Sequence, residues 1–282
     1  MITRSKRIWV ILVAFTTLLA TSALMRTEAR SPAVVNDQQL ETEVQDYLSG
    51  LGASYGVAAI DLQDGQTVFV NADGSFPTAS MYKLLVMYRV FQAVDQGNLS
   101  MDDTITVQGS DVTQEDSVGL APGDALTVAE ALNAMITVSS NAAAYALTRT
   151  VGGWSQLASA AEELEMAGTY MEGWDFWSTP RDMAHFFQLL ADGSLVSPDA
   201  SQQMVDLLAQ QTVNDRLPAL LPSEAQVAHK TGELPGVRND GGIVQGPGGR
   251  YVVVLMSQLG DPAEEVQAEA TISQMVYAEF EK

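Results

Sequence analysis

Apolar positions along the chain change their period several times, and each change marks an element. From residue 40 to 51 they fall at Leu40, Val44, Tyr47, Leu48 and Leu51, the spacing of an amphipathic helix, and Gly52 ends it. Residues 55–62 and 67–70 read as two strands of a hairpin around Gln63-Asp64-Gly65-Gln66. Residues 80–96 carry Met, Leu, Val and Phe on nearly every face, which predicts a buried helix closed by Gly97. Helical patterns follow at 127–138, 141–151, 154–166, 180–191 and 198–209. The period then turns strand-like at 226–230, 238–244 and 251–258, with Gly and Pro at the turns, and residues 262–280 are helical again.

This order predicts an α/β (α+β) fold. An antiparallel sheet is flanked by the N- and C-terminal helices, with an all-helical subdomain inserted between its strands. The sheet part takes in about 38–75 and 215–282, the helical part about 76–214, and a groove between them is the expected site. No internal repeat or low-complexity tract interrupts the pattern.

The chain has 282 residues, enough for one large domain with a sizeable core. With 46% hydrophobic and 17% charged residues it is globular in composition. Its formal net charge of −21, with no basic tract after the N-terminus, argues against a nucleic-acid partner. An anionic ligand would therefore need a local positive site. Arg4, Lys6 and Arg7 precede an apolar run from Ile8 to Leu24, and Arg26, Glu28 and Arg30 follow it. Residues 1–30 thus read as a secretory signal peptide or a signal anchor spanning roughly residues 8–25, leaving a domain at 31–282 that begins with a short linker. An extracytoplasmic protein, secreted, periplasmic or held on the outer face of the membrane, is expected. There is no cysteine, so no disulfide framework.

After residue 30 only three lysines remain: Lys83, Lys230 and the terminal Lys282. Lys83 closes Ser80-Met81-Tyr82-Lys83, which follows Pro77-Thr78-Ala79. Three residues apart at a helix start, Ser80 and Lys83 share a face. A lysine made neutral by burial and a nearby cation can take a serine proton. Alone, the motif is weak. Ser139-Ser140-Asn141 lies between two helical patterns, where a plain helix cap explains it equally well. Lys230-Thr231-Gly232 ends a short strand: lysine and hydroxyl suit a ligand carboxylate, and glycine permits close approach, although an edge strand ending in a turn has the same look. No metal-ligand cluster, phosphate loop or dinucleotide fingerprint occurs, so no cofactor or metal is expected. His185 stands beside Phe186 and Phe187, and His229 should point to the opposite strand face from Lys230, so neither is a catalytic candidate.

Together and in this order, the three motifs resemble those of the class A β-lactamases and penicillin-binding proteins. The resemblance runs from about residue 40 to the C-terminus. Thr127-Val128, Met135-Ile136-Thr137-Val138, Ser178-Thr179-Pro180 and Met183-Ala184 add to it. It implies that Ser80 attacks a carbonyl and that Lys83 is the base, directly or through water. It further implies that Ser139 relays a proton to the leaving nitrogen and that Asn141 binds the substrate side-chain amide and Lys83. Lys230, Thr231 and Arg216 would hold the substrate carboxylate, and the N–H groups of Ser80 and Glu233 would form the oxyanion hole. A monomer acting on a small β-lactam or a peptidoglycan-like peptide is the implied form.

Two departures from the family pattern matter. Ser140 stands where class A enzymes usually carry aspartate. The Glu-x-x-Leu-Asn loop, whose glutamate activates the deacylating water, is missing: residues 166–178 read MAGTYMEGWDFWS. Glu172 and Asp175 are the nearest candidates for that base, and solvated acids on a surface loop are the plain alternative. Trp174, Phe176 and Trp177 either line the groove or pack the loop. Three readings follow: a β-lactamase, a cell-wall DD-peptidase or related amidase or esterase, and a membrane-tethered sensor or non-catalytic binding domain.

Overall fold

A computed structural model describes residues 35–113, 116–173 and 175–282. The apolar segment read as a signal peptide or anchor, and Trp174, lie outside the described residues.

A two-residue strand β1 (Val35–Asn36) leads into α1 (Gln38–Ser49), capped by Asp37, whose carboxylate accepts from the backbone of Gln39 and Leu40. Strands β2 (Ser54–Asp61) and β3 (Gln66–Val70) form the hairpin, and β4 (Phe76–Pro77) precedes a 3₁₀ turn at Ala79–Tyr82. Next come α2 (Lys83–Asp95), the short pair β5 (Thr104–Thr106) and β6 (Ala125–Thr127), and α3 (Val128–Thr137), which Thr127 and Glu130 open with a capping box. Helices α4 (Asn141–Thr150) and α5 (Trp154–Glu163) follow, then a hairpin of β7 (Tyr170–Glu172) and β8 (Asp175–Ser178). Helices α6 (Pro180–Ala191) and α7 (Pro198–Leu208) both start on Pro behind a Thr or Ser cap. The chain ends with β9 (Gln226–Leu234), β10 (Val237–Gln245), β11 (Arg250–Gln258) and α8 (Pro262–Phe280).

The main sheet has the order β1-β3-β2-β11-β10-β9, antiparallel except where β1 meets β3. Its strands are apolar on both faces because both are covered. Val57, Ala59, Val253 and Leu255 share one core with Leu40, Val44 and Leu48 of α1 and Ala268, Ile272 and Val276 of α8. Their alternate neighbours Ala58, Val252, Val254 and Met256 share the other core with α2 and α6, through Leu84, Met87, Met183 and Phe187. The period-2 alternation thus sorts side chains between two helical layers. This is the α+β architecture expected from the pattern, except that the 76–214 part, expected to be all-helical, also carries the short strands β4 to β8, too brief to show a period.

Three local expectations change. The helix expected from residue 80 starts as an α-helix only at Lys83. The carbonyl of Thr78 accepts both Met81 N–H, at 3.0 Å, and the Asn239 amide, at 3.1 Å, and Ala79 has φ +47°, so the chain closes three-residue turns there. The segment 166–178 contains a hairpin, with Glu172 opposite Asp175 in its register. The strand expected at 226–230 continues to Leu234, because β10 pairs with it as far as Val237 opposite Leu234.

Candidate active site

Ser80 sits in the 3₁₀ turn, fastened from two sides. The backbone N–H of Thr78 donates to the Phe176 carbonyl on β8 at 2.8 Å, and Asn239 on β10 donates to the Pro77 carbonyl at 2.8 Å. In a 3₁₀ turn, residues three apart eclipse one another, so Ser80 and Lys83 share a face, as the spacing predicts. Gly232 on β9 passes the same turn. A Cβ there would lie 2.7 Å from the Thr78 carbonyl and 3.3 Å from the Ser80 nitrogen, so only glycine lets the strand run this close. Glu233 is the next residue on the strand, and it lines the same cavity as Ser80.

Lys83 is fully buried, and its Nζ reaches the Ser139 carbonyl at 2.7 Å, Ser139 Oγ at 3.0 Å and Asn141 Oδ1 at 2.8 Å. Burial, with repulsion from Lys230, lowers its pKa to about 6 against a weaker opposing pull from Asp116. All three bonds run from Nζ to an oxygen, so loss of one proton keeps two of them and frees a lone pair. Ser139 has φ +59°, a sparsely populated conformation that turns both its carbonyl and its hydroxyl toward Lys83. The turn is held from behind. Ser140 caps α4, and its hydroxyl donates to Asp116 Oδ1 at 2.7 Å, the oxygen that also accepts Ala142 N–H at 3.0 Å. Asp116 gave no sequence signal; only the folded loop brings it to Ser140.

Lys230 on β9 is also fully buried, and its Nζ reaches Ser139 Oγ at 3.1 Å and the Thr231 carbonyl at 2.8 Å. Burial lowers its pKa to about 7, the attraction of Asp240 offsetting part of the shift and Arg216 adding to it. Thr231 is buried. Arg216 is buried too, and its guanidinium is bound by the carboxylate of Glu233, with Asp215 Oδ1 at 3.5 Å and Glu269 Oε2 at 4.0 Å. His229 faces away from Lys230, as expected: Nδ1 meets Asp240 Oδ1 at 2.8 Å and Nε2 meets Asn214 Oδ1 at 3.0 Å.

A cavity of about 820 Å³ opens beside Ser80. Ser80, Asn141, Glu233 and Asp175 line it, together with Tyr82, Tyr145, Trp154 and Phe176. Of the two carboxylates in the 166–178 segment, Asp175 lies on the cavity wall, and Glu172 is not among the lining residues. Phe176 both packs and lines: it is buried, and its ring stacks on Tyr82 at 6.1 Å between centroids. The arrangement can therefore set Ser80 one turn before a buried amine of lowered pKa, relay a proton through the Ser139 hydroxyl and offer a buried lysine to an anion.

A match to the "Beta-lactamase enzyme family" spans residues 39–280. A β-lactamase of Streptomyces albus G is 29% identical over 240 residues, covering 76% of each chain. The extended-spectrum β-lactamase PER-1 of Pseudomonas aeruginosa is 26% identical, covering 96% of this chain and 94% of its own. Among solved structures, a point mutant of PBP-A in an acyl-enzyme complex with penicillin G has a TM-score of 0.84 at 27% identity, covering 89% of this chain and 99% of that one. An ancestral class A β-lactamase has a TM-score of 0.80 at 29% identity, covering 86% and 100%.

Proposed function

The chain belongs to the β-lactamase enzyme family and is a serine hydrolase, and we propose that it opens β-lactam amides through an acyl-enzyme on Ser80, with Lys83 as the base. The observation that carries this reading is the fully buried amine of Lys83, lowered to about 6 and hydrogen-bonded to Ser139 and Asn141. Ser80 Oγ attacks the carbonyl carbon as its proton passes to Lys83 Nζ. The oxyanion forms between the N–H groups of Ser80 and Glu233. The C–N bond then breaks, and the proton moves from Lys83 through Ser139 Oγ to the leaving nitrogen. Protonated Lys230, with the field of Arg216, draws in the substrate carboxylate, and Thr231 belongs to the same subsite. Water hydrolyses the ester, its proton returning through Lys83 to Ser80.

A second reading, a DD-peptidase or penicillin-binding enzyme with a long-lived acyl-enzyme, has its own support. Lys83 has no carboxylate among its hydrogen-bond partners in the described residues, and Asp175 is the one acid of the 166–178 segment on the cavity wall. Without an anchored acid to hold the second water, deacylation falls to Lys83 and is slow. In both readings the N-terminal segment exports the protein, so that it meets its substrate outside the cytoplasm.

Mass spectrometry of residues 31–282 mixed with benzylpenicillin separates these readings. An adduct that forms and disappears as penicillin is consumed makes the protein a β-lactamase. A persistent adduct makes it a penicillin-binding enzyme. An adduct that survives Ser80→Ala removes Ser80 as nucleophile.

A further inference from the structure

The cavity extends beyond Ser80 to Arg149 and Trp154, and its charges are unevenly matched. Among the described residues, four charged side chains line it: Asp111, Arg149, Asp175 and Glu233. Asp111 is bound by Arg149 at 2.7 Å, and Glu233 by Arg216. Asp175 alone of the four makes no ion pair or side-chain hydrogen bond among the described residues, and it is exposed to the cavity. Beside it stands an aromatic wall. Tyr145 meets Trp154 edge-on at 5.7 Å, Trp154 lies 5.4 Å from Tyr82 and 6.3 Å from Phe176, and all four line the cavity. The negative charge of Asp175 acts on Tyr145, adding to burial in raising that phenol. A lone carboxylate next to aromatic faces is the chemistry that selects an organic cation, by charge and by cation–π attraction together. At the other end of the cavity the buried cations Lys230 and Arg216 stand behind Ser139 and Glu233.

We propose that the wall formed by Asp175, Tyr145 and Trp154 is a subsite for an ammonium group at the end of the substrate's acyl side chain. The inference rests on Ser80 being the nucleophile. It makes the preferred substrate dipolar, with a carboxylate on the leaving side at Lys230 and a cation on the acyl side at Asp175. Such an acyl chain belongs either to an amine-bearing β-lactam or to a cell-wall peptide with a free side-chain amine.

The test compares two penicillins on residues 31–282, one with a 6-aminohexanoyl and one with a hexanoyl side chain, by the second-order rate constant of adduct formation. The aminohexanoyl compound is expected to react roughly fivefold to tenfold faster at low salt, the preference shrinking as salt screens it. Asp175→Asn should bring the ratio to near one, and Asp175→Lys should invert it in favour of an adipoyl side chain, a reversal that general loosening of the hairpin would not give. Equal rates in the unaltered protein, or a ratio unmoved by Asp175→Lys, overturn this inference alone. Absence of any adduct with either penicillin overturns the nucleophile reading and this inference with it. Competition identifies the source of the amine. Better protection by Nα-acetyl-lysyl-D-alanyl-D-alanine than by its Nε-acetylated form assigns the subsite to a peptide, and a penicillin preference with no peptide protection assigns it to a β-lactam side chain.

Discussion

Lys83 and Lys230 reach the same oxygen, Oγ of Ser139, at 3.0 and 3.1 Å. Two buried ammonium groups cannot both be held there without strong repulsion, so the pair titrates as a unit, with the charge staying on Lys230 longer. The lowered values of about 6 for Lys83 and about 7 for Lys230 give that order. The proposed acylation needs Lys83 neutral and Lys230 charged. The second-order acylation rate constant should therefore rise with pH through about 6 and fall again above about 7. A bound carboxylate favours charged Lys230, so the falling limb should move to higher pH at saturating substrate. A profile that keeps rising to the ordinary lysine range would remove Lys83 as a neutral base.

The same burial makes a claim about stability. An unfolded lysine holds its proton up to about 10.5, whereas folded Lys83 releases it near 6, so the unfolded chain binds more protons between these values and stability rises with pH across that window. Buried Glu269, whose pKa is raised well above that of an ordinary carboxyl mainly by desolvation, acts in the opposite sense, its contribution being lost as pH rises through its raised value. Comparing the protein with Lys83→Met removes this lysine together with its repulsion of Lys230. The gain in unfolding free energy from pH 6 to pH 9 should be larger in the unaltered protein, by an amount on the order of 3 kcal/mol. Identical urea-midpoint shifts in the two proteins would mean that Lys83 keeps its proton in the fold.

Ser140 and Asp116 make a different kind of pair, one that holds the catalytic turn. The Asp116 carboxylate accepts Ser140 Oγ at 2.7 Å, Ala142 N–H at 3.0 Å, Leu120 N–H at 3.2 Å and Val118 N–H at 3.3 Å, and these bonds outweigh its desolvation to hold its pKa below the usual range. Asp116→Ala should cost about 1–3 kcal/mol of stability and slow acylation, because Ser139 and Asn141 flank the residue it anchors. Combined with Ser140→Ala it should cost clearly less than the sum of the two single changes. Strict additivity in urea unfolding would separate Asp116 from the turn.

Gly232→Ala tests the closest backbone approach in the site. The new Cβ would meet the Thr78 carbonyl at 2.7 Å and Ala79 Cβ at 3.2 Å, neither of which is a flexible side chain. Strand β9 must retreat from the Ser80 turn, so the oxyanion donors separate and acylation should fall roughly a hundredfold. The fold should survive, since β9 stays paired with β10 along its length. Near-normal acylation would put the second oxyanion donor elsewhere.

How much of this was legible beforehand depends on how far each feature reaches in sequence. Ser80 with Lys83, and Ser139 with Asn141, are local, and the strands from 226 to 258 keep a period long enough to read. The 3₁₀ turn at Ala79–Tyr82 was hidden because its cause, Asn239 bonding to the Pro77 and Thr78 carbonyls, lies some 160 residues away in the chain. Strands of two to four residues, such as β4, β7 and β8, carry no period to detect. The aromatic wall was invisible for a similar reason. Tyr82, Tyr145, Trp154 and Phe176 come from separate elements and meet only after packing.

The family resemblance assigns both Arg216 and Lys230 to a substrate carboxylate, yet the fold gives them different neighbours. Lys230 points to Ser139, whereas the Arg216 guanidinium is occupied by Glu233 and lies within 4.0 Å of buried Glu269. Removing Arg216 would leave Glu233 without its partner and a hole against Glu269. Arg216→Ala should therefore cost about 3 kcal/mol of folding stability and slow acylation by a penicillin and by its methyl ester to a similar degree. Lys230→Ala should act selectively, slowing the penicillin by tenfold or more and the ester much less, because only the free acid uses the charge. The ratio of the two rate constants, measured by adduct formation for each variant, decides between them. An Arg216→Ala protein that unfolds normally but loses the acid-over-ester preference would make Arg216 the direct carboxylate ligand and leave Lys230 to tune Ser139.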